Sequence, residues 1–272
     1  MQQNAARIKA QGLGLAAVSY DSVAILKQFA DRAHITFTLL SDPDSAVIRS
    51  YGILNDTVAK SSAQFGIPHP GTYILDRKGA VVAKYFQEDF RVRDTAASIL
   101  LRQFGLKPLE QESLEAKHAT LLASAIEGDL RPNQRVTLNL DVTLPRKMHV
   151  YAPGVEGYKP VTLTLGDSKA FQTEAPVFPK ARIMNLATIH ESVPVYENQF
   201  RVMQTITLAG AQQIEPLLDS NRQLAIAGQF LYQACDDKQC FTPETVHLKW
   251  TVKVMQFDRT RVPAELQKKA PQ

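Results

Sequence analysis

Cys235 and Cys240 are the only thiols in 272 residues, and four residues separate them. A pair that close is a bridge, a redox couple or half of a metal site. Zinc fits poorly, because Cys-x4-Cys has no second close pair of Cys or His to complete four ligands. A structural staple fits better but returns little: chain entropy assigns so small a ring only about 2 kcal/mol, against roughly 3 kcal/mol for a 15-residue loop. A core staple is also expected to join distant strands. The remaining possibility is a redox couple that cycles between dithiol and disulfide through mixed disulfides with a partner, and on the residues alone the three readings stay open. That chemistry calls for no metal and no organic cofactor. Asp236 and Asp237 oppose thiolate formation and Lys238 offsets part of this, so the partner's cysteine should supply the reactivity. A short polar loop at a hairpin end should keep both sulfurs near the surface. His69, His149, His190 and His247 are read as surface or core polar residues, and Trp250 as core.

The elements that must position the pair have period two. In residues 246–254 the apolar Val246, Leu248, Trp250, Val252 and Val254 alternate with His247, Lys249, Thr251 and Lys253, one face for the core and one for solvent. Similar runs at 136–144, 148–151, 161–165, 200–208 and 224–232 predict an antiparallel β-sandwich of immunoglobulin-like size over residues 131–257. Residues 1–105 read differently, as alternating strands and helices on a largely parallel sheet. There, residues 13–19 predict a buried strand. Asp21 should cap a helix with Val23, Leu26, Phe29 and Ala30 on one face, and residues 72–75 and 80–86 should form a hairpin turning at Gly79. Residues 106–130, rich in Glu, Lys and Ala, read as a linker, and 258–272 as a flexible tail.

Charge and hydropathy close off several classes. Lys plus Arg exceed Asp plus Glu by 12 to 9 over residues 1–105 and by 19 to 18 over the rest, a flat spread without the basic patch of a nucleic-acid binder. No apolar run approaches the roughly 18 residues of a membrane span. No signal peptide opens the chain, which begins within a helix-like segment; the expectation is an upstream portion supplying a preceding element.

The segments GLGLAAVSYD (12–21), LLSDPD (39–44) with Tyr51-Gly52, and PGTYILDRKG (70–79) resemble the redoxin group of thioredoxin-like proteins, the AhpC/TSA family. The resemblance implies that Pro70 is cis and lies against a docking cysteine. It also implies an earlier strand and a reactive cysteine at the first helix, yet residues 1–234 contain no cysteine. The domain is read as truncated or degenerate, and peroxidase activity is not expected of it. The segment FLYQACDDKQCFTPE (230–244), with MHVYA (148–152) and VPVYE (193–197), resembles the N-terminal domain of the DsbD thiol:disulfide interchange proteins. By that resemblance Cys235 and Cys240 carry electrons, and Tyr151, Tyr232 and Phe241 join Pro70 as partner contacts. The partner would be a thioredoxin-like or DsbD-type redox protein, and the location periplasmic or exported.

The expected whole is an incomplete thioredoxin-like domain followed by an immunoglobulin-like sandwich, acting in thiol:disulfide exchange. The alternative is a non-enzymatic binding or scaffolding module with a structural disulfide.

Overall fold

The computed structural model of the chain describes residues 1–106, 112–125, 129–186, 191–257 and 260–266. It divides into a unit of Met1–Leu100, with which the described residues 260–266 group, and a unit of Leu101–Phe257.

The first unit runs α1 (Ala5–Ala10), β1 (Ala16–Ser19), α2 (Val23–Ala33), β2 (Thr38–Ser41), α3 (Ala46–Ser50), β3 (Gly71–Leu75), β4 (Val81–Phe86), β5 (Arg93–Asp94) and the start of α4 (Ala96–Phe104). β1 pairs in parallel with β2, and β3 pairs antiparallel with β4. The turn between β3 and β4 is built by Asp76, whose Oδ1 accepts from the amides of Lys78 and Ala80, and by Gly79 at φ 83°.

Several expectations change here. Among the described residues β1 to β4 form two separate two-stranded sheets, not one largely parallel sheet. The strand expected over 13–19 is shorter and exposed, with Val18 at 45%, because two strands alone cannot cover both of their faces. α2 is capped by Ser22, whose Oγ accepts from the Ile25 amide, while Asp21 takes a hydrogen bond from Ser19 Oγ. Its buried residues are Ile25 and Leu26; Val23 and Phe29 are exposed. The His69–Pro70 bond is trans, as no described peptide bond is cis. The physical reason is the approach to β3: Leu54 bridges Pro68 and the His69 amide donates to Ile53 O at 2.7 Å. The chain therefore enters the strand extended and needs no sharp turn there.

The second unit is β-rich. Its strands are β6 (Glu112–Glu115), β7 (Thr120–Ala125), β8 (Asp129–Leu130), β9 (Gln134–Thr143), β10 (His149–Tyr151), β11 (Thr162–Leu165), β12 (Phe171–Thr173), β13 (Arg182–Leu186), β14 (Glu191–Glu197), β15 (Gln199–Leu208), β16 (Gln223–Tyr232), β17 (Ala234–Cys235) and β18 (Glu244–Val254), with one short helix, α5 (Ala211–Ile214). They form three sheets of order β12-β15-β9-β7-β6, β11-β16-β18-β8 and β13-β14-β10-β17. Pairing is antiparallel apart from β8 on β18. Inward residues of all three sheets, among them Leu138, Leu140, Ile206, Phe230, Trp250 and Val150, make one core. Trp250 also donates its Nε1–H to Asn139 O at 3.3 Å, so burial leaves its polar edge satisfied.

The expected linker at 106–130 contains three strands, β6, β7 and β8. β6 and β7 form a hairpin, and β7 pairs with β9 from Thr120↔Thr143 to Ala125↔Leu138, burying Leu121 and Ala123. Charged neighbours and small alanines disguised the alternation. Residues 107–111 and 126–128 of that span, and 258–259 and 267–272 of the expected tail, lie outside the described residues.

Candidate functional site

The site is built where β10 lies between β14 and β17. Register sets Val150 against Tyr196 on one side and Ala234 on the other, and all three belong to the main core. Strand alternation then sends the neighbouring residues to the opposite face. There His149 stands across from Cys235 and Glu197, and Tyr151 stands across from Val195. Tyr151, Val193, Val195 and Cys235 form a second small apolar cluster, against which Val155, Tyr158 and Met184 pack.

Cys235 and Cys240 pair directly across an antiparallel bridge, Cα to Cα 4.0 Å, and are joined by a disulfide. The turn between them is held by Asp236. Its Oδ1 accepts from the amides of Lys238 and Gln239, both at 2.8 Å, while its own amide donates to Gln239 O. Those amides hold the Asp236 carboxyl below the usual carboxylate range. Beyond the turn, Phe241 is fixed at both ends of its peptide unit, its N–H on Ala234 O and its C=O on Gln233 Nε2.

The two sulfurs are not equivalent. Cys235 is 1% exposed, whereas Cys240 is an exposed residue. The expectation that both lie near the surface is corrected: β17 places Cys235 in the paired sheet under Tyr151, and only the outgoing side of the turn faces solvent. The Tyr151 hydroxyl lies 3.8 Å from Cys240 Sγ. Burial, with Glu191 nearby, raises the Tyr151 phenol above its ordinary value, so it stays protonated as a donor at neutral pH.

Tyr158 stacks on Tyr151 with centroids 4.2 Å apart, carried there by the loop 152–160, whose ends close as Val161 N–H donates to Tyr151 O. Its hydroxyl donates to Glu191 Oε2 at 2.5 Å, which pushes the phenol up to about 12.

The remaining expected site residues are placed as follows. Tyr232 is 1% exposed, so it cannot present its ring to a partner. Its hydroxyl donates to Glu244 Oε2 at 2.6 Å and accepts from the His118 amide. Phe241 is half-buried, its ring 4.1 Å from that of His118. Pro70 belongs to the first unit and is described with it. His247 is exposed, and His190 lies outside the described residues. No group of three or more His, Cys, Asp or Glu suited to a metal occurs among the described residues. Sequence reasoning missed two neighbours of the pair, His149 and Tyr158. His149 was detectable, being two residues before Tyr151 and hence on its face; Tyr158 carried no signal.

Residues 1–84 match the AhpC/TSA family, and residues 118–251 match the family described as thiol:disulfide interchange protein DsbD, N-terminal. Both resemblances read from the sequence are thus shown. Curated relatives include the chloroplastic peroxiredoxin Q of Triticum aestivum, 33% identical over 93 residues (33% of this chain, 40% of the relative). Another is the putative peroxiredoxin bcp of Haemophilus influenzae, 28% identical over 83 residues (30% of this chain, 52% of the relative). The chain thus spans about half, or less, of the length of those relatives. Among solved structures it is similar to the N-terminal periplasmic domain of ScsB from Proteus mirabilis, at 16% identity and TM-score 0.35, covering 58% of this chain and 52% of that one. The Neisseria meningitidis DsbD N-terminal domain in the reduced form is similar at 13% identity and TM-score 0.28, covering 41% and 74%.

Proposed function

We propose that the second unit is an immunoglobulin-like sandwich serving as a thiol:disulfide relay, with Cys240 as the sulfur a partner attacks and Cys235 as the sulfur released. The observation that carries this is the asymmetry of the bridge, one residue exposed and the other in a packed cluster. A thiolate of a thioredoxin-like partner attacks Cys240 Sγ, the bond to Cys235 breaks, and the electron pair leaves on Cys235 Sγ. The partner's second thiol then gives up its proton and attacks the partner sulfur of the mixed disulfide, releasing Cys240. Two electrons and two protons pass from the partner dithiol to the pair, and the reverse sequence oxidises the pair.

Tyr151 donates to the Cys240 sulfur as charge develops on it, and Phe241 with the exposed turn residues Asp237, Lys238 and Gln239 offers the contact surface. Tyr232 acts from behind, fixing the strand that delivers Cys235. The first unit is read as a thioredoxin-like domain lacking the family's reactive cysteine, so this chain alone performs no hydroperoxide reduction by that route; Pro70 as a contact rests on the resemblance. An exported location fits, because an exchangeable disulfide persists where the surroundings are oxidising.

The test incubates the oxidised protein with a reduced thioredoxin-like domain whose resolving cysteine has been removed. The expected product is a mixed disulfide mapping to Cys240 and lost in Cys235→Ser and in Cys240→Ser. If no adduct forms and reduction alone melts the second unit, the disulfide is a staple and the protein is a binding module.

A further inference from the structure

Resting on that reading, we propose that His149 is the hydrogen-bonding partner of the Cys235 sulfur once the disulfide opens, and so sets how readily Cys235 leaves and returns. Three observations converge on it. Register places His149 directly across from Cys235 on the same face of the sheet, where side chains of an antiparallel pair stand about 4.5–5.5 Å apart at Cβ. Its ring meets Tyr151 edge-on, centroids 5.5 Å apart at 88°, and the Tyr151 hydroxyl is the group beside Cys240 Sγ. Finally, His149 is 4% exposed and its Nε2 is buried without a hydrogen-bond partner. A buried polar atom left unpaired is costly, and such atoms recur at redox and catalytic sites. Here the cost has a use: a disulfide sulfur is a weak acceptor, whereas the thiolate released from it is a strong one.

The charges around the ring favour the same role. Burial lowers the His149 pKa, while Glu197 on β14 and Asp236 and Asp237 in the turn after β17 pull the other way. Glu197 is itself engaged by Arg182 from β13, at 2.6 Å. The phenols facing this cluster, Tyr151 on the ring's own strand and Tyr158 beyond it, are raised and remain neutral. A neutral imidazole presents an N–H to an anion without bringing a full charge into the cluster.

In the forward step the partner thiolate bonds to Cys240 Sγ, the S–S bond breaks, and the electron pair settles on Cys235 Sγ, which accepts the N–H of His149 Nε2. The proton that completes the Cys235 thiol arrives through solvent as the partner's resolving thiol deprotonates. In reverse, the same contact stabilises Cys235 as thiolate when it attacks the mixed disulfide.

The experiment has two arms. In a Cys240→Ser background, where Cys235 is the only thiol, thiolate absorbance near 240 nm is followed from pH 5 to 9.5 with His149, His149→Phe and His149→Gln. The Phe variant keeps the ring packing on Tyr151, and the Gln variant keeps a donor. Loss of one hydrogen bond to a charged group should lower the thiolate equilibrium constant roughly 10- to 100-fold in the Phe variant, with most of it restored by Gln. In the second arm the otherwise unaltered oxidised proteins react with the single-cysteine partner, and adduct formation should slow in the same order. Thermal melts identify any variant that fails to fold; the Gln variant then carries the comparison, with a shift toward higher pH of less than tenfold expected. Titrations that superimpose for His149 and for a folded Phe variant overturn the inference, whatever the partner does. A shifted titration with no adduct from any protein leaves the His149 contact standing and overturns the exchange reading instead.

Discussion

At Cys235 and Cys240 the same element is held in two environments, and the difference is measurable without a partner. With Cys235 replaced by serine, Cys240 stands alone as an exposed thiol; with Cys240 replaced, Cys235 stands alone at 1% exposure beneath Tyr151. A soluble disulfide reagent at pH 8 should label the first variant at least about tenfold faster than the second, since reactivity follows access and thiolate fraction. Equal rates would remove the asymmetry on which the order of attack rests. Asp236 makes a second prediction at this scale. Its carboxylate accepts from two turn amides and its folded pKa is depressed, so its contribution is present above the unfolded value near 3.9 and is lost as pH falls through the folded value. Amide exchange at Lys238 and Gln239 should therefore be faster in Asp236→Ala than in the parent at pH 6. The two should converge in strongly acidic solution, and an exchange rate unaffected by the substitution at pH 6 would mean that the backbone alone holds the turn.

Among the elements, β16 lies between β11 and β18, and its close approach to both depends on Gly228. A Cβ there would lie 2.8 Å from Trp250 Cζ3, 3.0 Å from Leu165 Cδ2 and 3.0 Å from Thr164 O, which includes backbone that cannot move aside cheaply. Gly228→Ala is expected to destabilise the second unit by about 1–3 kcal/mol through overpacking. Gly166→Ala, which would meet only Ala227 O at 3.7 Å, is the control and should be nearly neutral. Equal denaturant midpoints for the two variants would refute the crowding argument. The long strands β9, β15, β16 and β18 were legible because each carries a nine-residue alternating run. β10 was legible as the short run 148–151, whereas β17, two residues long, carries too little pattern to be read by period. The pairing of the two strands is specified by the neighbours they meet, and they are the strands that hold the site.

On the scale of the molecule, the disulfide and the main core of the second unit occupy opposite faces of the β13-β14-β10-β17 sheet. Opening the bridge therefore removes no core contact and frees a ring worth only about 2 kcal/mol of chain entropy. For a unit of this size that corresponds to a fall in Tm of about 4–8 °C on reduction, read by calorimetry with and without reductant. A collapse of the transition would instead mark the bridge as structural. The first unit should differ in protection: β1–β2 and β3–β4 are isolated two-stranded sheets, and such ribbons are marginal in water. Their amides should exchange well before those of β9, β15, β16 and β18, and equal protection would contradict the separateness of the two small sheets.

Residue type and spacing alone singled out one close pair of cysteines as the candidate for the chemistry, set an α/β segment ahead of a β-rich one, and carried the resemblance to the two families those segments match. These readings depend on local pattern: period, turn residues and motif order. Tertiary structure decided what local pattern cannot encode. Cys235 is buried and Cys240 exposed because β17 joins a sheet through β10, a partner 84 to 86 residues earlier in the chain. Tyr232 is buried because its face belongs to the core, and Pro70 is trans because residues 53–54 hold the approaching chain extended. His149 reads in sequence as an ordinary polar residue; only the register between β10 and β17 sets it opposite Cys235. Pairing between distant strands is settled by the burial of whole faces, and a face exists only once the sheets have assembled.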